Sequence, residues 1–144
     1  MNIIRLKDSF EVLGKSIVSL DKAIVLYQNN KYDDETILVD VITSRFKYVF
    51  ECFWKFLKRY LEVNGELLDN IKIPKQILIK SYEYNLIENE KIWLDMLKDK
   101  NVLSHVYDEE EAFRVYHDIV NVYYPNIKNT YDNFKKLVEN DRYN

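Results

Sequence analysis

Hydrophobic residues recur every three or four positions along most of this chain. From Ile3 the series runs through Leu6, Phe10, Leu13, Ile17, Leu20, Ile24 and Tyr27. That spacing predicts a helix over about 3–28 with one apolar stripe. Asn29-Asn30-Lys31 reads as the break, and Asp33 or Asp34 as the cap of the next helix, where an acid suits the helix dipole. Ile42, Phe46, Val49, Phe50, Phe53, Trp54, Leu57, Tyr60 and Leu61 then supply a wide apolar face. They predict a helix over about 34–63, on the order of 45 Å long at 1.5 Å per residue. Asn64-Gly65 is its stop signal. A connector, 66–73, leads to Pro74, which suits a first helical turn. A shorter helix over about 75–86 follows, then another over about 88–103 with Ile92, Trp93, Met96 and Leu97 facing inward. Asp108 with Glu111 three residues on is a capping-box pattern. The helix it opens continues through Ala112, Val115, Tyr116, Ile119, Val122 and Tyr123. Pro125 is expected to kink or interrupt it before Ile127, Tyr131, Phe134 and Leu137 resume. The polar tail, 139–144, is expected to fray.

These elements predict an all-α fold, an antiparallel up-and-down four-helix bundle with an additional short helix, in one domain over 1–144. Composition agrees. Two glycines and two prolines in 144 residues are too few for the turns of a strand-rich fold.

Charge narrows the function classes. With 21 Lys+Arg against 24 Asp+Glu the formal charge is −3, so phosphate binding has to come from a local patch rather than from long-range attraction. Cys52 is the only cysteine, which excludes an intramolecular disulfide, and its apolar neighbours predict a buried small hydrophobe. One cysteine and two separated histidines do not build a Cys/His zinc site, and no metal or other cofactor is expected. Residues 1–20 mix charged and apolar positions, unlike a signal peptide, and the apolar runs are too short to span a bilayer. A cytoplasmic protein without membrane contact is the expectation.

The chemistry concentrates in Lys100-Asn101-Val102-Leu103-Ser104-His105-Val106-Tyr107. A cation, a histidine and a phenol there can bind a phosphate and move a proton beside it. Asn101 and Ser104 can add hydrogen bonds to the phosphate or cap the helix end. Lys100 and His105 are five residues apart, which on an unbroken helix sets them about 140° apart. They converge only if the helix ends between them or a second copy supplies one of them. The Asp108 cap places His105 in a helix-to-helix corner. The plainer reading of that histidine is a surface or capping residue. His117, Arg45, Lys47 (with Glu51 at i+4) and the Lys55/Lys58/Arg59 patch read as solvated surface. No Gly-rich phosphate loop, HExxH motif or Ser-His-Asp order is present.

The residues resemble a known family. Arg45-Phe46-Lys47-Tyr48-Val49-Phe50-Glu51 precedes Trp54-Lys55-Phe56-Leu57-Lys58 and Tyr60-Leu61. Pro74 opens the short helix, and Leu86-Ile87, Trp93, Met96 and Leu97 lead to Asp99-Lys100-Asn101-Val102-Leu103-Ser104-His105-Val106-Tyr107-Asp108. Together they resemble HEPN domains of the HepT-like, nucleotidyltransferase substrate-binding-protein-like branch. The family pattern in the last string is Asp-Arg-Asn, two residues, Ser-His, one residue, Tyr. The resemblance implies a four-helix bundle that dimerises, and a small cognate nucleotidyltransferase as partner. It also implies, in active members, a metal-independent ribonuclease site with Lys100 and His105 as the catalytic pair. In toxin-like members the partner transfers AMP to the tyrosine that corresponds to Tyr107. The chain departs from the pattern at Lys100, where the family has arginine. Lysine keeps the charge and loses the planar fork that grips a phosphoryl group. The reading that follows is a HepT-like partner of a nucleotidyltransferase that binds nucleotide or RNA phosphates at Lys100/His105, with ribonuclease activity weak or lost. An active ribonuclease silenced at Tyr107, and a helical interaction protein with an incidental histidine, are the alternatives.

Overall fold

The computed structural model describes residues 3–29, 35–66, 68, 71, 73–105 and 108–139. They form α1 (Ile3–Gln28), α2 (Glu35–Val63), α3 (Pro74–Glu83), α4 (Glu90–His105), α5 (Glu109–Asp118) and α6 (Tyr124–Glu139), with a π-helical turn, Ile119–Tyr123, joining the last two into one continuous rod. No strand occurs among the described residues, and no helix among them is long and apolar enough to cross a membrane. The expected caps at Asp33 and Asp34 and the tail, 140–144, lie outside the described residues.

Side-chain pairings give the topology. Phe10 meets Phe56 and Ser19 meets Arg45, so α1 and α2 are antiparallel. Phe53 meets Trp93 and Glu51 meets Lys100, so α4 runs against α2. Phe46 meets Tyr123 and Phe56 meets Phe134, so the α5–α6 rod runs with α2, and Tyr27–Tyr116 and Phe10–Tyr131 set it against α1. The result is the up-and-down bundle of four long rods with α3 as the short extra helix.

Helix α2 lies at the centre. Phe46, Val49, Phe50, Phe53, Phe56 and Leu57 are all at most 1% exposed. Their rings knit the bundle in edge-to-face contacts, which aromatic quadrupoles favour: Phe53 and Trp93 lie 4.8 Å apart, Phe56 and Phe134 5.0 Å, Tyr60 and Phe134 5.1 Å. Trp54, expected inward, is only partly buried, and its indole N–H donates to Glu51 at 3.1 Å. Cys52 is partly rather than fully buried, and burial pushes its thiol pKa up.

The stop signals act as read. Gly65 takes φ 95°, and the bonds Glu66 N to Leu61 O and Gly65 N to Glu62 O close α2 in a Schellman motif. The same pair of bonds from Leu86 to Ser81 and from Asn85 to Tyr82 closes α3, with Asn85 at φ 60°. Asn85 is the reason α3 ends three residues before the expected Leu86.

Pro125 brings the expected interruption of the α-helix, in the form of a π turn and not of a break in the chain's helical path. Proline lacks the N–H that would bond the carbonyl four residues back, and its ring crowds that carbonyl. The helix answers with a π turn just ahead of it, in which Tyr124 N bonds Ile119 O, five residues back. The turn inserts one residue into the helical phase. An uninterrupted α phase from Ala112, Val115, Tyr116 and Ile119 would continue through 126, 133 and 137. The buried positions are instead Ile127, Phe134 and Val138, while Val122 and Leu137, both expected inward, are exposed.

Candidate functional site

Helix α4 is unbroken from Glu90 to His105. It does not end between Lys100 and His105, so the route by which both would converge within one chain is closed. Helix geometry puts Asn101 and His105 on one face at i and i+4, about 100° and 140° round from Lys100, while Ser104, at i+4 from Lys100, stands about 40° from it. Asn101, Ser104 and His105 are all exposed. Ser104 Oγ donates to Lys100 O at 2.9 Å, a bond within its own helix. His105 is the last residue of α4, where a basic side chain suits the negative end of the dipole. Tyr107 lies outside the described residues.

Lys100 turns toward α2. Its ammonium pairs with Glu51 Oε1 at 2.7 Å, and the lysine side chain is 21% exposed. The other oxygen of Glu51 accepts from Trp54 Nε1 at 3.1 Å and lies 3.9 Å from Lys55 Nζ. Glu51 therefore pairs with Lys100 and Lys55, and not with Lys47 as its i+4 spacing suggested. Burial pushes the Glu51 pKa up, but the bonds from Lys100 and Trp54 and the charges of Lys100 and Lys55 outweigh it and hold it below the ordinary glutamate value. The carboxylate is ionised at neutral pH.

The residue before Lys100 is also committed. Asp99, whose side chain is 5% exposed, accepts from Arg114 Nη2 at 2.8 Å and Nη1 at 3.4 Å, and from the Tyr123 hydroxyl. Arg114 also binds Glu111 and Asp118. The carboxylates of Asp99 and then Glu111 raise its pKa above the usual arginine value. Arg114 is thus no stand-in for the missing motif arginine, because its donors are already used. Burial, then the bond to Asp99, pushes the Tyr123 phenol pKa far up, so Tyr123 stays protonated and donates.

Beyond the end of α4 the charge turns negative. Asp108 caps α5, accepting from Glu110 N at 2.9 Å and Glu111 N at 3.4 Å. The capping box is half formed, since the Glu111 carboxylate goes to Arg114. A cavity of about 260 Å³ lies between α2, α4 and α5, with Lys47 the sole cation facing Asp40, Asp108 and Glu111 among its described lining residues. That balance repels phosphate. On the open face of α4, Lys98 is exposed and lies two turns before His105, nearly in line with it. His117 is exposed, as expected, and its ring lies 5.1 Å from Tyr116.

In the sequence, Asp99 and Glu51 appear only as members of the family-like strings, Glu51 also at i+4 from Lys47, and neither carries a sign of the partner it has in the structure. Asp99 follows Met96 at i+3, so its burial was readable from the apolar phase. Glu51 carried no comparable signal, because its partner lies on another helix.

The family model described as nucleotidyltransferase substrate binding protein like matches residues 8–136. The chain belongs to this HepT-like HEPN family. It is similar to the probable ribonuclease HepT of Haemophilus influenzae, at 28% identity over 122 residues that cover 78% of this chain and 83% of that protein.

Proposed function

We propose that this HepT-like protein is the partner of a small nucleotidyltransferase and binds nucleotide or RNA phosphates through Lys100 and His105, with ribonuclease activity that is weak or lost. The family supports the partner class. The observation that carries the weak-activity reading is the engagement of Lys100 by Glu51 at 2.7 Å on a helix that turns His105 the other way. Phosphoryl transfer needs its cation on the phosphate in the transition state. Here that cation is a point charge already held by a carboxylate. Asn101, on the exposed face of His105, and exposed Ser104, one turn after Lys100, add hydrogen-bonding groups for a phosphate or ribose. In the catalytic version His105 takes the proton of a ribose 2′-hydroxyl, the 2′-oxygen bonds to the adjacent phosphorus that Lys100 steadies, the P–O5′ bond breaks, and the 5′-oxygen takes up a proton and leaves as a hydroxyl, giving a 2′,3′-cyclic phosphate; no metal takes part.

The name of the Haemophilus influenzae relative favours a second reading, an active ribonuclease. In that version AMP transfer to Tyr107 by the nucleotidyltransferase silences it, and Tyr107→Phe abolishes the added mass. Two measurements separate the readings. The chain is expected to co-purify with the nucleotidyltransferase encoded beside it. In an RNA cleavage assay with EDTA, wild type is expected to show little or no cutting and Lys100→Arg to show more, by roughly tenfold. The gain stays below the two to three orders of magnitude typical of a full transition-state donor, because lysine keeps the charge. Vigorous cutting by wild type establishes the second reading instead. Cutting that persists in His105→Ala removes both.

A further inference from the structure

Glu51 sits where a ligand of Lys100 would sit. A lysine ammonium offers three donors in a compact head and binds phosphate as a point charge. One carboxylate oxygen at 2.7 Å takes a donor and cancels the charge. The carboxylate does not depend on Lys100 for its place. Its second oxygen is held by the Trp54 indole, with Lys55 beyond it, on the central helix of the bundle. Lys100 has no second acid on its own helix to move to, since neighbouring Asp99 is occupied by Arg114 and Tyr123.

We infer that Glu51 is a built-in competitor for the phosphate seat on Lys100, a positioning residue that a phosphodiester must displace before Lys100 can hold it. The inference rests on the reading of Lys100 as a phosphate-binding cation. It explains why an arginine at position 100 alone is expected to recover only roughly tenfold and not the two to three orders of magnitude of a full transition-state donor: the fork that grips a phosphate grips a carboxylate equally well, and Glu51 is within reach. The full benefit of Lys100→Arg needs Glu51 neutralised as well. The ligand class is single-stranded RNA or another phosphodiester whose several phosphates, unlike one carboxylate, also engage cations nearby such as Lys55.

The test uses a short fluorescent single-stranded 2′-O-methyl oligoribonucleotide, which the proposed chemistry cannot cleave, titrated by anisotropy with EDTA at several salt concentrations. The proteins are wild type, Glu51→Gln, Glu51→Ala, Lys100→Met and Glu51→Gln/Lys100→Met. Removing a like charge beside the ligand is expected to tighten binding about tenfold in both Glu51 variants. One freed phosphate contact steepens the slope of log K against log salt by about 0.7 for a single strand, a change that a purely structural effect does not produce. Both gains vanish in the double variant. If Lys100→Met weakens binding while the Glu51 variants bind equally or less well, Lys100 is a phosphate ligand and the competitor role is overturned. If the Glu51 gain persists without Lys100, it is a general charge effect and the competitor role is overturned too. If neither Lys100→Met relative to wild type nor Glu51→Gln/Lys100→Met relative to Glu51→Gln binds more weakly, Lys100 carries no phosphate, the site itself is wrong and the competitor falls with it.

Discussion

Lys100 and Arg114 are both cations beside the end of α4, and their partners give them opposite fates. Lys100 meets one partly exposed glutamate and can exchange it for a ligand. Arg114 spends four of its contacts on Asp99 and Glu111, and one on Asp118. It neutralises a carboxylate that would otherwise be buried alone. Arg114→Met should therefore cost about 1–2 kcal/mol, because it leaves the buried Asp99 carboxylate uncompensated, a loss smaller than for a fully buried pair since the guanidinium is half exposed. Asp99→Asn in the same background should restore part of that loss, measured by urea unfolding of the two single variants and the double. Additive losses would mean that the pair is not coupled. The sequence exposes half of this. The helical phase reaches Asp99 from Met96, so burial is legible; partners 15 and 24 residues away are set by how α5 and the π turn pack, which no local pattern records. The same reason hides the Glu51–Lys100 pair, which spans α2 and α4. What was legible at Lys100 was its chemistry, not its orientation.

At the scale of elements, α1, α2 and the stops after α2 were readable because long amphipathic helices and glycine caps are local physics. The α5–α6 rod was readable in part: Ile119, Tyr123, Ile127 and Phe134 are buried as the spacing predicts, while Val122 and Leu137 are exposed, because a proline signals a disturbance of the helical phase but not its form. The close approach of α1 and α6 was silent. Gly14 lies in an otherwise regular helix, and a Cβ built there would stand 2.6 Å from the Tyr131 hydroxyl and 3.3 Å from its ring carbon. Tyr131 has little freedom to retreat, being stacked on Phe10 at 4.8 Å. The glycine is a contact residue, and its helix-propensity penalty of about 1 kcal/mol is accepted for that closeness. Gly14→Ala should destabilise by about 1–3 kcal/mol through overpacking, despite alanine's better propensity. Tyr131→Phe removes the nearest atom and should recover part of the loss in the double variant. Thermal denaturation of the three proteins checks this, and a stabilised Gly14→Ala would show that α6 yields freely.

At the scale of the whole molecule the geometry of α4 asks for a second copy. The helix is continuous through His105, so Lys100 and His105 of one chain face different ways, and a site using both is composite across a twofold axis. The surface near Lys100 has an anchor of the kind such interfaces use: Tyr48, one turn before Glu51 on α2, is 57% exposed. The chain is predicted to sediment as a homodimer at micromolar concentration, and Tyr48→Arg to shift it toward monomer. A composite site makes a sharper prediction. Lys100→Ala and His105→Ala chains, each deficient alone, should complement when co-expressed. A mixed dimer pairs one chain's lysine with the other's histidine, so random pairing restores about a quarter of the sites. The readout is the number of oligonucleotides bound per dimer in a Glu51→Gln background, where Lys100 is free to act. Recovery near that fraction places the two groups in different chains. No recovery from a verified mixed dimer removes the composite site, and leaves Lys100 and His105 acting on separate phosphates of one strand.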